Sequence, residues 1–392
     1  MRDNQSQEET MELESFKYQL GEGWSVKNFP PLDSEQTLIV LFAAPEFINH
    51  PEPIQELARH YPHSKIIGCS SAGEIYGATV LDNSLTVAVA RFEKTSLQIV
   101  KETVADTEDS FNAGKRVAQF LNLKENLRAI FVLSEGLKIN GSELVKGLNS
   151  LASEQVVVTG GLAGDGKRFQ QTWGIFNGEV CTNSVIAIGL YGDNIHIGHA
   201  SRGGWDIFGP ERRITRAEGN VLYELDNQPA LKLYKVYLGE KADDLPAAGL
   251  LFPLAIRKDA SDEKQLVRTI LGVDEATQSL TFAGDMPIGY RARLMRANFD
   301  RLITSASRAG EVALENLTVQ DNRPILAIAI SCVGRRLLLG ERTEEEIEAL
   351  RETLPGSTQQ IGFYSYGELS PYAKGTCDLH NQTMTITTLY ES

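Results

Sequence analysis

Short apolar runs, each followed by a helical pattern and a second apolar run, recur along the chain. The first pair of runs is TLIVLFAAP (37–45) and KIIGCSSAGEI (65–75), and the short segment PIQELARHYP lies between them. Continuous apolar runs of this length that end in glycine or proline are typical of buried strands. The pattern therefore predicts a strand, helix, strand unit.

Two later stretches repeat this pattern. RAIFVLSEG (128–136) and VVVTGGLAGDG (156–166) flank GSELVKGLNSLAS, and ILAIAISCVG (325–334) and QIGFYSYGELS (360–370) flank TEEEIEALRETLP. In the last helix we expect Thr343 to be the N-cap and Glu346 its capping-box partner. The repetition predicts an α/β fold with two domains, mixed sheets and repeated strand-helix-strand units.

The segments between these units are rich in β patterns. QTWGIFNGEV carries the hairpin signal Asn177-Gly178, whereas a three/four spacing of apolar residues predicts a long helix over 291–309. GGWDIFGPERR (203–213) follows neither the strand nor the helix spacing of apolar residues, so we place a domain boundary there. The predicted division is a polar tail at 1–35, an N-terminal domain at 36–205 and a C-terminal domain at 206–390.

Composition narrows the class of protein. The 392 residues carry a formal net charge of -14, which repels polyanions and argues against nucleic acid as a partner. The four cysteines form no CxxC pair, and this favours reduced thiols in a cytoplasmic protein. The acidic N-terminus lacks the apolar core of a signal peptide, and the longest apolar stretches are too short to span a bilayer. We expect no membrane insertion.

The frame G-x-x-S-x-G-E occurs twice, in GCSSAGE (68–74) and GFYSYGE (362–368), with the first glycines 294 positions apart. Such a strand exit offers backbone N–H groups and a hydroxyl around a concave turn, although it can also be a tight turn with a glutamate cap. In GGLAGDG, an aspartate is similarly placed to bind a ligand or to hold its own turn. The predicted ligand-binding residues of these motifs are Ser71, Gly73, Glu74, Asp165, Ser365, Gly367 and Glu368.

A catalytic role has weaker support. The serine in GCSSAG is displaced from the G-x-S-x-G spacing of a nucleophile elbow, and neither a base nor an orienting acid can be named for Cys69 or Ser71. We therefore expect recognition without catalysis.

The order of these motifs resembles the FIST family of bacterial sensory proteins. The resemblance extends over most of 36–390 and includes KIIGCSSAGEIY, GGLAGDG, ITRAEGNVLYELDNQPALKLYKVYLG (214–239), GFYSYGEL and LHNQTMTIT. It implies an intracellular sensor, with an N-terminal and a C-terminal FIST domain, that binds a small ligand. It also implies a histidine kinase or a cyclic-di-GMP enzyme as partner, and no catalysis by the sensor itself.

One branch of that family, the nitric-oxide-sensing proteins that bind haem b, resembles the chain most closely in GHASRGGWDIFGPERRITR (198–216). The resemblance implies His199 as the axial ligand of the iron, Trp205 as a wall of the porphyrin site, and Arg202, Arg212 or Arg213 as partners of the propionates. The alternative is a haem-free module that binds an amino acid or a similar small metabolite through the glycine turns.

Overall fold

Three β-sheets with one common strand order form the body of the molecule, and a further sheet belongs to an inserted domain. The computed structural model describes residues 10–245, 247–315, 323–372 and 375–392. Along the chain, a first and a second unit are followed by the inserted domain and then by the remainder of a third unit.

The first unit is built from a strand pair, a helix and a hairpin. Its elements are β1 (Glu12–Gln19), β2 (Gly23–Trp24), β3 (Thr37–Ala43), α1 (Glu52–His60), β4 (Lys65–Ser70), β5 (Glu74–Tyr76), β6 (Thr79–Leu81) and β7 (Ser84–Arg91).

The second unit repeats this plan and adds one helix. Its elements are β8 (Ser96–Thr103), α2 (Ser110–Leu121), β9 (Leu127–Ser134), α3 (Gly141–Asn149), β10 (Val157–Leu162), β11 (Gly174–Phe176), β12 (Glu179–Cys181) and β13 (Ser184–Tyr191). The tight turn between β11 and β12 places both Asn177 and Gly178 at positive φ, so the predicted hairpin is confirmed.

β14 (Ile195–Arg202) opens the third unit, and the inserted domain (203–298) follows it. The elements of the inserted domain are β15 (Asp206–Glu218), β16 (Val221–Leu225), β17 (Gln228–Pro229), α4 (Ala230–Leu238), β18 (Leu254–Arg257), β19 (Leu266–Arg268), β20 (Ile270–Asp274), β21 (Ser279–Phe282) and β22 (Arg291–Arg296). The predicted boundary at 205/206 lies where the chain enters this domain, and the division remains a prediction.

The third unit closes the chain. Its remaining elements are α5 (Phe299–Leu314), β23 (Ile325–Cys332), α6 (Val333–Leu339), α7 (Thr343–Arg351), β24 (Thr358–Ser365), β25 (Gly367–Pro371), β26 (Cys377–His380) and β27 (Met384–Glu391). The α/β class and the three strand-helix-strand units are confirmed, since β3 pairs with β4, β9 with β10 and β23 with β24, each time in parallel.

Each unit gives its hairpin to the sheet of another unit. The hairpin β5–β6 of the first unit joins β24 of the third, β11–β12 of the second joins β4 of the first, and β25–β26 of the third joins β10 of the second. The exchange is cyclic and produces the common order hairpin, parallel pair, last strand and first strand in all three sheets, with β2 added at the edge of the first. The units are therefore interwoven in an approximately threefold arrangement.

A glycine in the middle of each second parallel strand is required by the packing of the neighbouring strand. A Cβ at Gly68 would lie 2.3 Å from Leu41 O, one at Gly160 would lie 1.8 Å from Val132 O, and one at Gly362 would lie 1.9 Å from Ala329 O. All three oxygens belong to the first parallel strand of the same unit. The repeated glycine thus permits one close backbone approach in each of the three units.

Main-chain hydrogen bonds join the three units where these strands end. The bonds run from Ala72 N to Tyr364 O (2.8 Å), from Gly164 N to Ser70 O (3.1 Å) and from Tyr366 N to Leu162 O (3.1 Å). The first unit bonds to the third, the second to the first and the third to the second. We call this set the main-chain ring.

Apolar side chains on the inner faces of the three sheets pack against one another in a central core. Phe42 of the first sheet stacks on Phe363 of the third at 4.5 Å between ring centroids, with Ile188 of the second sheet in the same cluster. Helices cover the outer faces, with α1 on the first sheet, α2 and α3 on the second, and α5 and α7 on the third.

The structure corrects the predicted bounds of two elements. The polar tail predicted at 1–35 is wrong for 12–19, because these residues form β1, which pairs along its whole length with β7 and buries Phe16. The first nine residues lie outside the described part of the chain. The helix predicted over 291–309 is wrong for its first part, since 291–296 form β22 and the helix α5 begins only at Phe299.

We predict that Gly362→Ala destabilises the protein by about 1–3 kcal/mol, because its Cβ would overlap the carbonyl of Ala329 and force the parallel strands apart. Gly356→Ala is the matched control, since a Cβ at that position meets nothing within 4 Å. Thermal and denaturant unfolding of both variants measure the difference. Equal stability of the two variants would contradict the packing role of Gly362.

Candidate functional site

The first serine-glutamate motif makes a closed set of hydrogen bonds within the protein. Ser71 Oγ donates to Glu74 Oε1 at 2.6 Å and accepts from Gly73 N at 2.8 Å. The other carboxylate oxygen, Oε2, accepts from Ser84 N at 3.2 Å and from Ser84 Oγ at 2.7 Å. These bonds tie the start of the hairpin to the start of β7.

The second motif makes equivalent bonds in the third unit. Ser365 Oγ donates to Glu368 Oε1 at 2.6 Å, and Glu368 Oε2 accepts from Thr383 N at 3.1 Å and from Thr383 Oγ1 at 2.9 Å. Both serines and both glutamates are buried. The duplicated residues therefore have a structural role, and their predicted contact with a ligand remains a prediction.

Asp165 organises a longer turn in the second unit. Its carboxylate accepts from the main-chain N–H groups of Phe169 (2.9 Å), Gln170 (2.8 Å) and Gln171 (2.9 Å), and from the hydroxyl of Tyr366. The ring of Phe169 stacks on that of Tyr366 at 4.5 Å with an interplanar angle of 9°. Asp165 thus fixes an aromatic pair between the second and the third unit.

Burial dominates the proton affinity of the two buried glutamates. It raises the pKa of Glu74 to about 8 and that of Glu368 to about 8, although the hydrogen bonds to each carboxylate act in the opposite direction. Each carboxyl group therefore binds its proton more tightly in the folded protein than in the unfolded chain.

A cavity of about 440 Å³ lies where the ends of strands from the second and third units face the inserted domain. We call it the apolar cavity. Its lining from the second unit is Thr107, Gly136, Leu137, Ile139, Asn140, Gly141, Leu162 and Phe169; from the third unit Cys332, Val333, Gly334, Leu337 and Tyr366; from the inserted domain Asn220, Leu250, Thr269, Ile270, Leu271, Phe282, Ala283 and Gly284. Its volume is within the range of small-molecule sites.

A second cavity, of about 640 Å³, lies on the other side of α6 and has charged walls. Asp82, Lys167 and Glu344 line it, together with Arg336, whose guanidinium donates to Ala72 O at 2.6 Å and to Asp82 Oδ2 at 2.8 Å. We call it the polar cavity. Val333 and Leu337 of α6 border both cavities, so this short helix separates them.

A buried ion pair holds α6 in place. Arg335 donates from Nε to Glu346 Oε1 at 2.5 Å, and both side chains are fully buried. The same guanidinium donates to Gly203 O at the start of the inserted domain and to Leu302 O in α5. The predicted capping box is therefore wrong: Arg342 is the N-cap of α7, without a side-chain bond, and Glu346 turns inward to Arg335.

The residues predicted to bind haem do not line a common cavity, although His199 and Arg202 share the strand β14. His199 is on β14, with its Nδ1 buried and without a hydrogen-bond partner among the described residues, and burial lowers its pKa. Trp205 donates from Nε1 to Gln382 O at 2.8 Å, and Arg202 donates to the carbonyl of Ser201. Neither the apolar nor the polar cavity is lined by His199, Arg202 or Trp205.

Arg212 belongs to the inserted domain and already has partners there. Its Nε donates to Tyr237 Oη at 2.9 Å and its Nη1 to Asp226 Oδ2 at 3.0 Å. The space beside it measures about 20 Å³, far less than a porphyrin occupies. The arrangement thus does not fit a haem held by the predicted set, and haem remains a prediction.

None of the predicted site residues lines the apolar cavity. Two of its lining residues, Phe169 and Tyr366, lie close in sequence to the predicted Asp165, Ser365 and Gly367. The remaining walls come from leucines, isoleucines and small residues that are indistinguishable from core residues in the sequence. The glycine turns were the one available signal, and they indicated the region.

Comparison with known proteins agrees with the order of the motifs. The FIST N domain model matches residues 37–228, and the FIST C domain model matches residues 230–371. The chain belongs to the FIST family. FIST domains are sensory modules that bind small ligands and act with signalling partners.

Individual relatives of this FIST protein add little. An uncharacterized protein of Methanocaldococcus jannaschii is 27% identical over 198 residues, which are 47% of this chain and 37% of that protein. The alignment with a crystal structure of chorismatase covers 98% of this chain and 99% of the chorismatase chain, at 9% identity and a TM-score of 0.36. A likeness this slight bears on neither fold nor function.

Among the described residues of the FIST protein, no helix has both the length and the hydropathy needed to cross a membrane.

We predict that the stability of this FIST protein falls as pH rises from about 4.5 to about 8. The folded state binds protons to Glu74 and Glu368 with a pKa of about 8, against an ordinary value of 4.5, so the free energy of unfolding is greatest below the lower value and decreases toward the higher one. Denaturant unfolding at several pH values in this range measures the free energy of unfolding.

Glu368→Gln removes one of the two ionising groups and should flatten this dependence, whereas Glu348→Gln on the exposed face of α7 should leave it as in the wild type. An unchanged slope in Glu368→Gln would show that Glu368 ionises with its ordinary pKa.

Proposed function

We propose that the protein is a cytoplasmic sensory module that binds a small ligand in the apolar cavity and signals its presence to a partner protein. The observation that carries the proposal is the position of the cavity, at the strand ends of two units and against the inserted domain. Sites at the ends of strands and between domains are where small-molecule pockets are commonly found. Membership of the FIST family supports a sensory role.

The elements around the cavity offer a route from the ligand to the surface. α6 forms one wall, and Arg335 within it bonds to carbonyls of the inserted domain and of α5. A ligand that contacts α6 and the inserted domain together stabilises one arrangement of the two. A preference of about 1.4 kcal/mol for that arrangement changes its population ratio tenfold.

The type of partner is proposed from the resemblance to the FIST family and not from a particular surface of the protein. A histidine kinase or a cyclic-di-GMP enzyme is the type of protein that would read such a module. Recognition without catalysis is supported by the state of the candidate nucleophiles: burial raises the pKa of the Cys69 thiol, and the Ser71 hydroxyl is engaged by Glu74.

We predict that a bulky side chain in the cavity abolishes binding. Ala283 lines the cavity from the inserted domain and is only partly buried, so Ala283→Trp should fill the space while the fold persists. A thermal-shift panel of the twenty amino acids, nucleosides and neutral aromatic metabolites should contain a compound that stabilises the wild type and not Ala283→Trp.

Stabilisation of both proteins to the same extent would place the site elsewhere, and a panel without any stabilising compound would count against the proposal. If a compound that stabilises both proteins equally is an amino acid, the result would favour the haem-free alternative at the glycine turns.

Nitric-oxide sensing through haem b is a second candidate, favoured by the buried Nδ1 of His199, which has no hydrogen-bond partner in the part of the chain that the structure describes. It predicts that protein expressed with haem supplied shows a Soret band that shifts with nitric oxide, and that His199→Ala loses the band while His196→Ala, on the same strand, retains it. Colourless protein that takes up no haemin would exclude this candidate.

A further inference from the structure

The lining of the apolar cavity contains no charged side chain among the described residues, although 23% of the chain is charged. Its polar side chains are neutral hydroxyl, amide and thiol groups, and several are already used. Asn140 Oδ1 caps α3, and Asn220 donates to Phe282 O at 2.7 Å. The walls thus present mostly carbon atoms to a ligand.

The mouth of the cavity is apolar as well. Four of its lining residues are large hydrophobic side chains with substantial exposure: Leu137 (37%), Phe169 (47%), Leu271 (49%) and Leu337 (42%). Single exposed hydrophobic residues are ordinary on a protein surface, but a group of four around one opening marks a binding site for an apolar surface.

The hydroxyl of Thr269 is withdrawn from the surface of the cavity. Thr269 is 5% exposed, and its Oγ1 is buried without a hydrogen bond among the described residues. A polar group of a ligand therefore gains little from this side chain.

We infer that the ligand of the apolar cavity is an uncharged, predominantly apolar small molecule. This inference rests on the proposed function, whose site it shares. A carboxylate or an ammonium group in this cavity would lose its hydration without gaining an opposite charge, which is strongly unfavourable. A free amino acid, which carries both charges, therefore does not match these walls.

A matched pair of dyes tests the class of ligand. N-phenyl-1-naphthylamine is neutral, and 8-anilino-1-naphthalenesulfonate has the same ring skeleton with one added sulfonate. For each dye, binding to the cavity is the fluorescence signal that is present in the wild type and absent in Ala283→Trp. We expect the dissociation constant derived from this signal to be at least tenfold lower for the neutral dye than for the sulfonate.

Leu337→Lys places a cation at the exposed mouth and should improve the affinity for the sulfonate relative to the neutral dye by several-fold. Leu123→Lys is the matched control, because Leu123 is 77% exposed and lies outside the cavity lining. Its two affinities should equal those of the wild type.

The outcomes separate this inference from the proposed function. If the sulfonate binds the cavity as tightly as the neutral dye, the inferred ligand class is wrong, but the cavity is still supported as the binding site. If Ala283→Trp, folded by circular dichroism, abolishes no part of either titration, the cavity binds no ligand of this kind, and the proposed function is contradicted with it.

Discussion

The main-chain ring is the constraint on which the rest of the structure depends. It brings the ends of β4, β10 and β24 together, and a glycine in each of these strands lets the neighbouring parallel strand approach closely. Once the three ends meet, each hairpin emerges beside another unit and completes that unit's sheet. No sheet of the body is then formed by one unit alone, and the cavities between units acquire walls from distant parts of the sequence.

The second unit departs from the other two at the position that matters for a ligand. Where the first and third units have a serine and a glutamate, the second has Ala163 and Gly166, and Asp165 holds a longer turn instead. That turn carries Phe169 over Tyr366, at the edge of the apolar cavity. The duplicated residues close their own hairpins tightly, so the recurring motif maintains the architecture, and the exception to it contributes to the candidate site.

Much of the local structure could be predicted from the sequence, and the partner of each element could not. Continuous apolar runs identified the parallel strands, and Asn177-Gly178 identified its hairpin. The strand β1 was missed because its alternating exposure, with Phe16 buried among polar residues, gives weak hydropathy. In 291–309 the helical spacing includes Ala292 and Met295, but these residues lie in β22, where Ala292 and Leu294 alternate with arginines. Three-residue strands such as β5 and β11 contain no information about which sheet they join.

The inserted domain forms one wall of the apolar cavity, so ligand binding depends on where this domain lies relative to the second and third units. Free energy that a ligand gains from Leu271 and Phe282 is available only when the inserted domain faces Leu162 and Val333 across the cavity. Linkage is reciprocal, so any partner that holds the inserted domain in this position raises the affinity for the ligand by the same factor by which the ligand raises the affinity for the partner. A sensory output therefore requires no catalytic group, only a partner surface that includes this domain.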